Sequence, residues 1–319
     1  MAGIEWNEGS AGSNGGTELM ARELERRMPP DLMERFQIIP SQFRSADPTK
    51  IRILWHHLLP TDPESSCLAD GGWRRFHRIV FVSNWQAQSF IHHFGIPWSR
   101  CVVMPNAIRP ITVEDGRFDP VPADQPIRLV YTSTPQRGLN ILGSVFDRIC
   151  TERDDVELDI FSSFRLYGWE DGPWEALFDA LRRNPKINYH GAVPNEQLRS
   201  ALRDAHVFAY PSIYRECCSV AFIEAMSAGL ACVHPNYGGL YETAAGWTIM
   251  YQWQDGESTH AAVFYQAVTA AIDALRAGDQ RLLSRLAAQK KYADAFYNWD
   301  VRTAQWEMFL RSIADLPTT

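Results

Sequence analysis

From residue 127 onward, short apolar runs alternate with helix-length amphipathic segments, and this alternation constrains the fold more than any other feature. Ile127–Thr132, Val156–Phe161, Ile187–His190, Val207–Tyr210 and Leu230–His234 are bounded by turn residues and too short for buried helices, so they read as strands covered on both faces. Between them, Leu139–Cys150, Pro173–Arg183, Glu196–Ala205 and Ser219–Ala228 repeat apolar residues at helical spacing. Parallel strands need a crossover long enough to return to the same end of the sheet, and a helix supplies it. The expected class is therefore α/β with a doubly wound parallel sheet. An earlier, shorter series has the same character: a helix from Thr17 stopped by Pro29-Pro30, runs at Phe36–Ile39, Ile51–Trp55, Ile79–Val82 and Cys101–Met104, and a helix over Trp85–Phe94. Between the two series, residues 109–126 hold Pro110, Pro120, Pro122 and Pro126 with Asp and Gly, the composition of a linker. We divide the chain into domains at 1–115 and 116–297, with a last helix in 298–319 expected to pack back on the first domain, and a cleft expected between the two. Ala261–Phe296 reads as one long helical stretch, and the opening Gly-, Ser- and Asn-rich segment to Gly16 as loop.

The 319 residues are 45% apolar and 22% charged, ordinary globular composition. A net charge of -7 argues against a surface that clamps nucleic acid or anionic lipid throughout. The charge is uneven: residues 1–110 hold 12 basic and 11 acidic residues, the remainder 19 and 27, which suits two domains with different ligands. No apolar run is long enough to span a bilayer, and no basic-then-apolar leader pattern opens the chain. The six cysteines follow no Cys-x-x-Cys spacing, and Cys217-Cys218 are adjacent, a poor geometry for a bridge. Reduced thiols and a cytoplasmic location are the expectation.

The segment Tyr210–Glu224, YPSIYRECCSVAFIE, concentrates the chemistry. Glu216 precedes a helix and Glu224 lies within it, separated by seven residues. The first turn of that helix, opening at Ser219 and Val220, offers unpaired N–H groups and the positive end of the helix dipole, a setting for phosphate or diphosphate. A loop carboxylate can face a sugar carried on that diphosphate, and a carboxylate further along has the acceptors to hold a ribose diol. The alternative is that both glutamates are solvated helix-end residues.

Taken in order, GGTE (Gly15–Glu18), LWHH (Leu54–His57), FVSNW (Phe81–Trp85), VVMPNAI (Val102–Ile108), RLVYTSTPQRGL (Arg128–Leu139), YHGAV (Tyr189–Val193), ECCSVAFIEAMSAG (Glu216–Gly229) and YGGLYE (Tyr237–Glu242) resemble the retaining family 4 glycosyltransferases of the GT-B fold, two Rossmann-like domains facing each other across a cleft. The resemblance implies transfer of a sugar from a UDP- or GDP-linked donor to an acceptor hydroxyl with retention and without a metal. It assigns Glu216 to the transferred sugar, Glu224 to the ribose and Arg137 to the donor diphosphate, where the forked guanidinium suits bidentate contact. Gly15 and Gly16 let backbone approach the donor, and Ser133, Ser219 and Val220 fall among donor-binding positions. His57 matches the histidine lining the cleft near the reacting sugar, with His56 as the substitute if the register shifts by one. Ser83, Asn106 and the Tyr237–Leu240 loop rank behind these. The first domain is shorter than in relatives, which leaves the acceptor (glycan, lipid or modified DNA base) unread.

Two further clusters need a reading. No Asp-x-Asp occurs, Glu157-x-Asp159 falls inside an expected strand, and the pairs His56-His57 and His92-His93 lack the i, i+4 spacing of a helical metal site, so no metal is expected. The run Trp73-Arg74-Arg75-Phe76-His77-Arg78 reads as a solvated helix face, with a membrane surface or polyanionic acceptor as the functional alternative. Two other functions compete with the main one: the same chemistry on a hydroxymethylated base of viral DNA, and a sugar-nucleotide-binding protein without catalysis.

Overall fold

The computed structural model describes residues 3–4 and 15–318. Most of the opening segment expected as loop, residues 5–14, lies outside the described residues. The chain forms two units, one of residues 1–107 with 297–319 and one of residues 108–296.

In the first unit, helix α1 (Gly16–Arg27) ends before Pro29-Pro30, and a single turn, α2 (Pro30–Met33), leads into strand β1 (Phe36–Pro40). Strands β2 (Ile51–His56), β3 (Arg78–Phe81) and β4 (Cys101–Val103) follow, with helix α3 (Asn84–Phe94) between the last two. All four strands are parallel in the order β1-β2-β3-β4, with Phe36 opposite Ile51, Ile53 opposite Arg78 and Ile79 opposite Cys101. A single bridge from Ile4 to Ile38 extends the β1 edge. The core under this sheet is apolar and aromatic, joining Leu54, Leu68, Phe76, Phe81 and Phe90. The expected helix face at Trp73–Arg78 is not one. Tight 3-10 turns cover Pro63–Arg75 with a break at Asp70-Gly71, Trp73 is buried, and Arg78 already belongs to β3.

The second unit alternates as its sequence requires: β5 (Ile127–Thr132), α4 (Leu139–Glu152), β6 (Val156–Phe161), α5 (Glu175–Arg182), β7 (Ile187–Tyr189), α6 (Asn195–Asp204), β8 (Val207–Ala209), α7 (Val220–Ser227) and β9 (Ala231–Pro235). Two short elements without a sequence signal follow, α8 (Leu240–Ala244) and β10 (Ile249–Tyr251). The expected single stretch Ala261–Phe296 is two helices, α9 (Glu257–Arg276) and α10 (Gln280–Phe296), parted at Gly278, whose left-handed φ of +63° turns the chain against Pro120. The six strands are parallel in the order β10-β9-β8-β5-β6-β7. The chain thus builds outward from β5 in one direction, then returns to β8 and builds in the other. Its reversal lies between β5 and β8.

The proline-rich stretch belongs to this second unit. The Ile111 N–H donates to Ser227 Oγ at 2.8 Å and its carbonyl accepts from Lys290 Nζ at 2.6 Å, so the division falls at 107/108, ahead of those prolines. The last helix, α11 (Trp299–Ile313), is capped by Asn298 and lies in the first unit, where Trp306 meets Trp55 edge-on with ring centroids 5.0 Å apart.

Candidate active site

Where a parallel sheet reverses its strand order, the loops leaving the two central strands diverge and open a crevice at their carboxyl ends. In the second unit those loops follow β5 and β8. The first carries Ser133 and Arg137, the second Tyr210 to Ser219. A third loop, after β9, brings Gly238 and Gly239 against the second. Close backbone approach holds the three together. A Cβ on Gly138 would sit 2.1 Å from the Pro211 carbonyl oxygen, and one on Gly238 (φ +63°) 2.7 Å from the Glu216 nitrogen, so neither position admits a side chain. The Gly239 N–H donates to the Glu216 carbonyl at 2.6 Å.

This packing fixes Glu216, whose side chain is buried at 4% exposure. Its Oε1 accepts from Arg137 Nη1 at 2.6 Å and from the Tyr210 hydroxyl at 2.5 Å. The structure therefore brings two of the sequence-selected residues into one contact and adds Tyr210 to them. Burial disfavours the Arg137 cation, but the adjacent Glu216 carboxylate more than offsets this and holds the guanidinium charged. Burial, then the Glu216 charge, push the Tyr210 hydroxyl well above the usual phenol range, so it remains a donor. The Arg137 guanidinium also lies 4.5 Å from the Tyr214 ring centroid, and its Nε has no hydrogen-bond partner. Ser133 Oγ stands 3.4 Å from the Tyr210 oxygen. One face of the pair is thus built rigidly, while 21% of the Arg137 side chain stays exposed.

Ser219 and Val220 open α7, and the Ser219 hydroxyl accepts from its own helix, from the Phe222 N–H at 3.3 Å. Glu224 lies further along the helix and does not join Glu216. Its Oε1 accepts from Arg199 Nη1 at 2.9 Å, and Arg199 Nη2 donates to the carbonyls of Arg109 and Pro110 at 2.9 and 3.1 Å. Both side chains of this pair are buried. Burial pushes the Glu224 carboxyl up while Arg199 opposes it. Among the described residues, no group donates to its other oxygen. Sequence reasoning missed Arg199. Its signal was an arginine three residues before Leu202, on the buried face of an otherwise amphipathic helix.

In the first unit, Gly15 caps α1 and Gly16 is its first residue. His56, the last residue of β2, is wholly buried. Its Nε2 lies 2.8 Å from Ser65 Oγ, whose proton goes to the Leu59 carbonyl at 2.7 Å, so the imidazole is the donor. His57 leaves the strand with its ring 4.7 Å from the Trp55 ring centroid, and neither ring nitrogen has a partner at hydrogen-bond geometry. Burial holds it at about 4 against the opposing Trp55 backbone and Asn106 side chain, so it is neutral at pH 7. Of the second-rank positions, Ser83 is a helix cap accepting from the Gln86 N–H, and Tyr237 stacks on Trp253 with centroids 3.9 Å apart. Among the described residues, no three His, Cys, Asp or Glu side chains come together, and no helix is long and apolar enough to cross a membrane.

Comparison with known proteins bears on the same region. Residues 127–272 match the profile of the family glycosyl transferases group 1. The phosphatidylinositol N-acetylglucosaminyltransferase GPI3 subunit of Saccharomyces cerevisiae is 24% identical over 209 residues, 62% of this chain and 43% of the yeast protein. The O-antigen chain mannosyltransferase B of Escherichia coli is 28% identical over 172 residues, 51% of this chain and 44% of that protein. The chain therefore spans less than half the length of these curated relatives. Among solved structures, a glycosyltransferase from Rickettsia africae superposes with a TM-score of 0.66 at 15% identity, covering 98% of this chain and 85% of that one. The pneumococcal O-GlcNAc transferase GtfA, in complex with UDP and GlcNAc, gives 0.61 at 14% identity, covering 84% and 53%.

Proposed function

We propose that this chain, whose residues 127–272 match the family glycosyl transferases group 1 and whose two Rossmann-like units take the GT-B fold, transfers a sugar from a uridine or guanosine diphosphate donor to an acceptor hydroxyl with retention of configuration. The observation that carries this reading is the Glu216–Arg137–Tyr210 contact at the strand reversal, where a nucleotide-binding sheet opens its crevice. The donor diphosphate takes the free side of the Arg137 guanidinium and the amino end of α7, two sources of positive charge that stabilise the leaving group without a cation. Glu216 lies beside the sugar. Its charge, held in place by Arg137 and Tyr210, faces the positive charge that develops at the anomeric carbon as the bond to phosphate breaks. The acceptor hydroxyl attacks from the face the phosphate leaves, and the departing phosphate oxygen takes its proton. Glu224 offers its remaining oxygen to the ribose, with Arg199 fixing its orientation. Within the first unit, neutral His57 takes the acceptor-side hydrogen-bonding role, and Gly15-Gly16 offers bare backbone to a ligand. The acceptor is a glycan or a lipid, classes to which the names of the yeast phosphatidylinositol and bacterial O-antigen transferases point. Six unbridged thiols suit a cytoplasmic setting.

The test is release of UDP or GDP from a panel of nucleotide sugars by the wild-type chain, with and without lipid and oligosaccharide acceptors. Turnover with one donor is expected. Binding of a donor with no release under any condition would leave a sugar-nucleotide-binding protein instead.

A further inference from the structure

The amino ends of the strands in the first unit carry a cluster that the proposed reaction does not use. Arg52 is the second residue of β2, Arg78 opens β3 and Arg100 immediately precedes β4, so three adjacent parallel strands bring guanidinium groups to one end of the sheet. Arg74 joins them from the turn before β3. The four line one open pocket of about 330 Å³, a volume suited to a small ligand. His57 follows the carboxyl end of β2, so the pocket lies at the other end of this sheet.

Several arginines elsewhere in the chain meet carboxylates, as Arg137 does Glu216, Arg153 and Arg276 do Asp155, and Arg199 does Glu224, while others such as Arg285 meet carbonyls alone. Among the described residues, none of the pocket's Arg52, Arg74, Arg78 and Arg100 forms an ion pair with a carboxylate. Arg52 donates to the carbonyls of Arg75, Thr318 and Asp47 at 2.8, 3.1 and 3.2 Å, Arg78 to that of His77 at 2.7 Å, and Arg100 to those of Phe76 and His77 at 3.3 Å each; the Asp47 carboxylate feels the Arg52 charge without forming an ion pair with it. Arg74 rests on the Trp73 ring at 4.4 Å. Carbonyl dipoles orient these side chains without neutralising them, and like charges gathered in one pocket repel. His77 adds no charge. Its Nδ1 accepts from the Arg52 N–H at 2.9 Å and its Nε2 therefore donates to the Pro317 carbonyl at 2.8 Å, which ties the chain's last described residues to the pocket as a wall.

We propose that this pocket binds a phosphate group carrying at least two negative charges, gripped by the forked guanidinium groups of Arg78 and Arg100 with Arg52 and Arg74 around it. Planar forks arriving from several strands match tetrahedral phosphate oxygens. The phosphate belongs to a small soluble compound or to a single lipid headgroup, and the experiment separates the two.

The probe is sodium pyrophosphate, titrated calorimetrically into the full chain carrying Arg137→Ala, which removes the diphosphate grip proposed in the second unit. In parallel, the same protein is sedimented with phosphatidylcholine vesicles with and without phosphatidic acid. Pyrophosphate binding with vesicles ignored supports the site and assigns it to a soluble phosphate. Sedimentation that requires phosphatidic acid supports it and assigns it to a headgroup. In either case Arg78→Gln/Arg100→Gln should weaken binding at least about tenfold, the scale of a lost charge-assisted contact. Arg74→Ala, at an exposed position, reports the same site should the double variant fail to fold. Absence of binding to both probes, or binding that all these substitutions leave unchanged, overturns the proposal.

Discussion

The two sheets of this molecule are built by different rules, and the difference explains where its chemistry collects. In the second unit the strand order reverses between β5 and β8, so the loops after these strands part, and Arg137, Tyr210 and Glu216 meet where they do. In the first unit the order β1-β2-β3-β4 follows the chain without reversal. Successive loops there leave on the same course, and the histidine that ends β2 is drawn into packing, with His56 hydrogen-bonded to Ser65 and edge-on to Phe90. One sheet makes its site out of its topology. In the other, His57 stands on the loop after β2, so the donor contacts proposed above rest on one sheet's topology while the proposed acceptor contact rests on a single loop residue.

The largest effect expected from this contrast is on Glu216. Glu216→Gln keeps an oxygen for Tyr210 and Arg137 but removes the charge, and sugar transfer should fall by about 10³-fold, the loss typical of one preorganised electrostatic group. Circular dichroism should show an intact fold. Wild-type turnover in this variant would remove the site from the reversal point altogether.

The two glutamates of the segment offer a sharper comparison inside the second unit. Glu216 pairs with an arginine that keeps 21% of its side chain exposed, whereas Glu224 pairs with one that keeps 9%. Arg199→Met leaves a buried carboxylate and the Arg109 and Pro110 carbonyls without their donor, and should lower stability by about 3–5 kcal/mol. The double variant Arg199→Met/Glu224→Gln should recover part of that loss in urea denaturation. Arg137→Ala should act on binding instead, weakening the donor by about 2–3 kcal/mol through lost charge-assisted contacts, with Arg137→Lys in between. If Arg137→Ala proved as destabilising as Arg199→Met with donor affinity unchanged, the two pairs would be equivalent structural bridges and the comparison would fail.

Residue patterns disclosed the sheets well and the side-chain partnerships poorly. β5 and β6 were legible to the residue because continuous apolar runs bounded by turn residues admit little else. β10 was not, since Ile249–Tyr251 is too short to carry a period and its pairing with β9 is set by a neighbour. The break at Gly278 was masked because one glycine in an amphipathic pattern is tolerated, and only the approach to Pro120 shows that the chain turns there. Arg137 and Glu216 were selectable as ligands, but their mutual contact spans 79 residues and depends on three loops packing through glycine. Arg199 required knowing that α6 buries the face on which it lies. Trp73–Arg78 misled because arginines around an aromatic look like a wet helix, while the backbone was crossing from tight turns into β3.

The smallest effect tests both units at once through pH. His56 in the first unit and His234 in the second are wholly buried, and burial lowers them to about 3 and about 4 from an ordinary value near 6.5. Because the folded-state values lie below the unfolded ones, the unfolded chain takes up protons first as pH falls. Their contribution to stability is complete above about 6.5 and is lost from there down to about 3 for His56 and about 4 for His234. One such histidine should remove about 2 kcal/mol between pH 7 and pH 5. His56→Gln and His234→Gln should each flatten the acid side of the stability curve by that amount relative to wild type, measured from urea midpoints at the two pH values. The His234 variant also gives up the contact with Thr248 Oγ1 at 2.6 Å, so its stability at pH 7 should drop while its pH dependence shrinks. If only one of the two variants flattened the curve, the units would differ in how they exclude water from their cores, and the contrast between the sheets would extend from topology to packing.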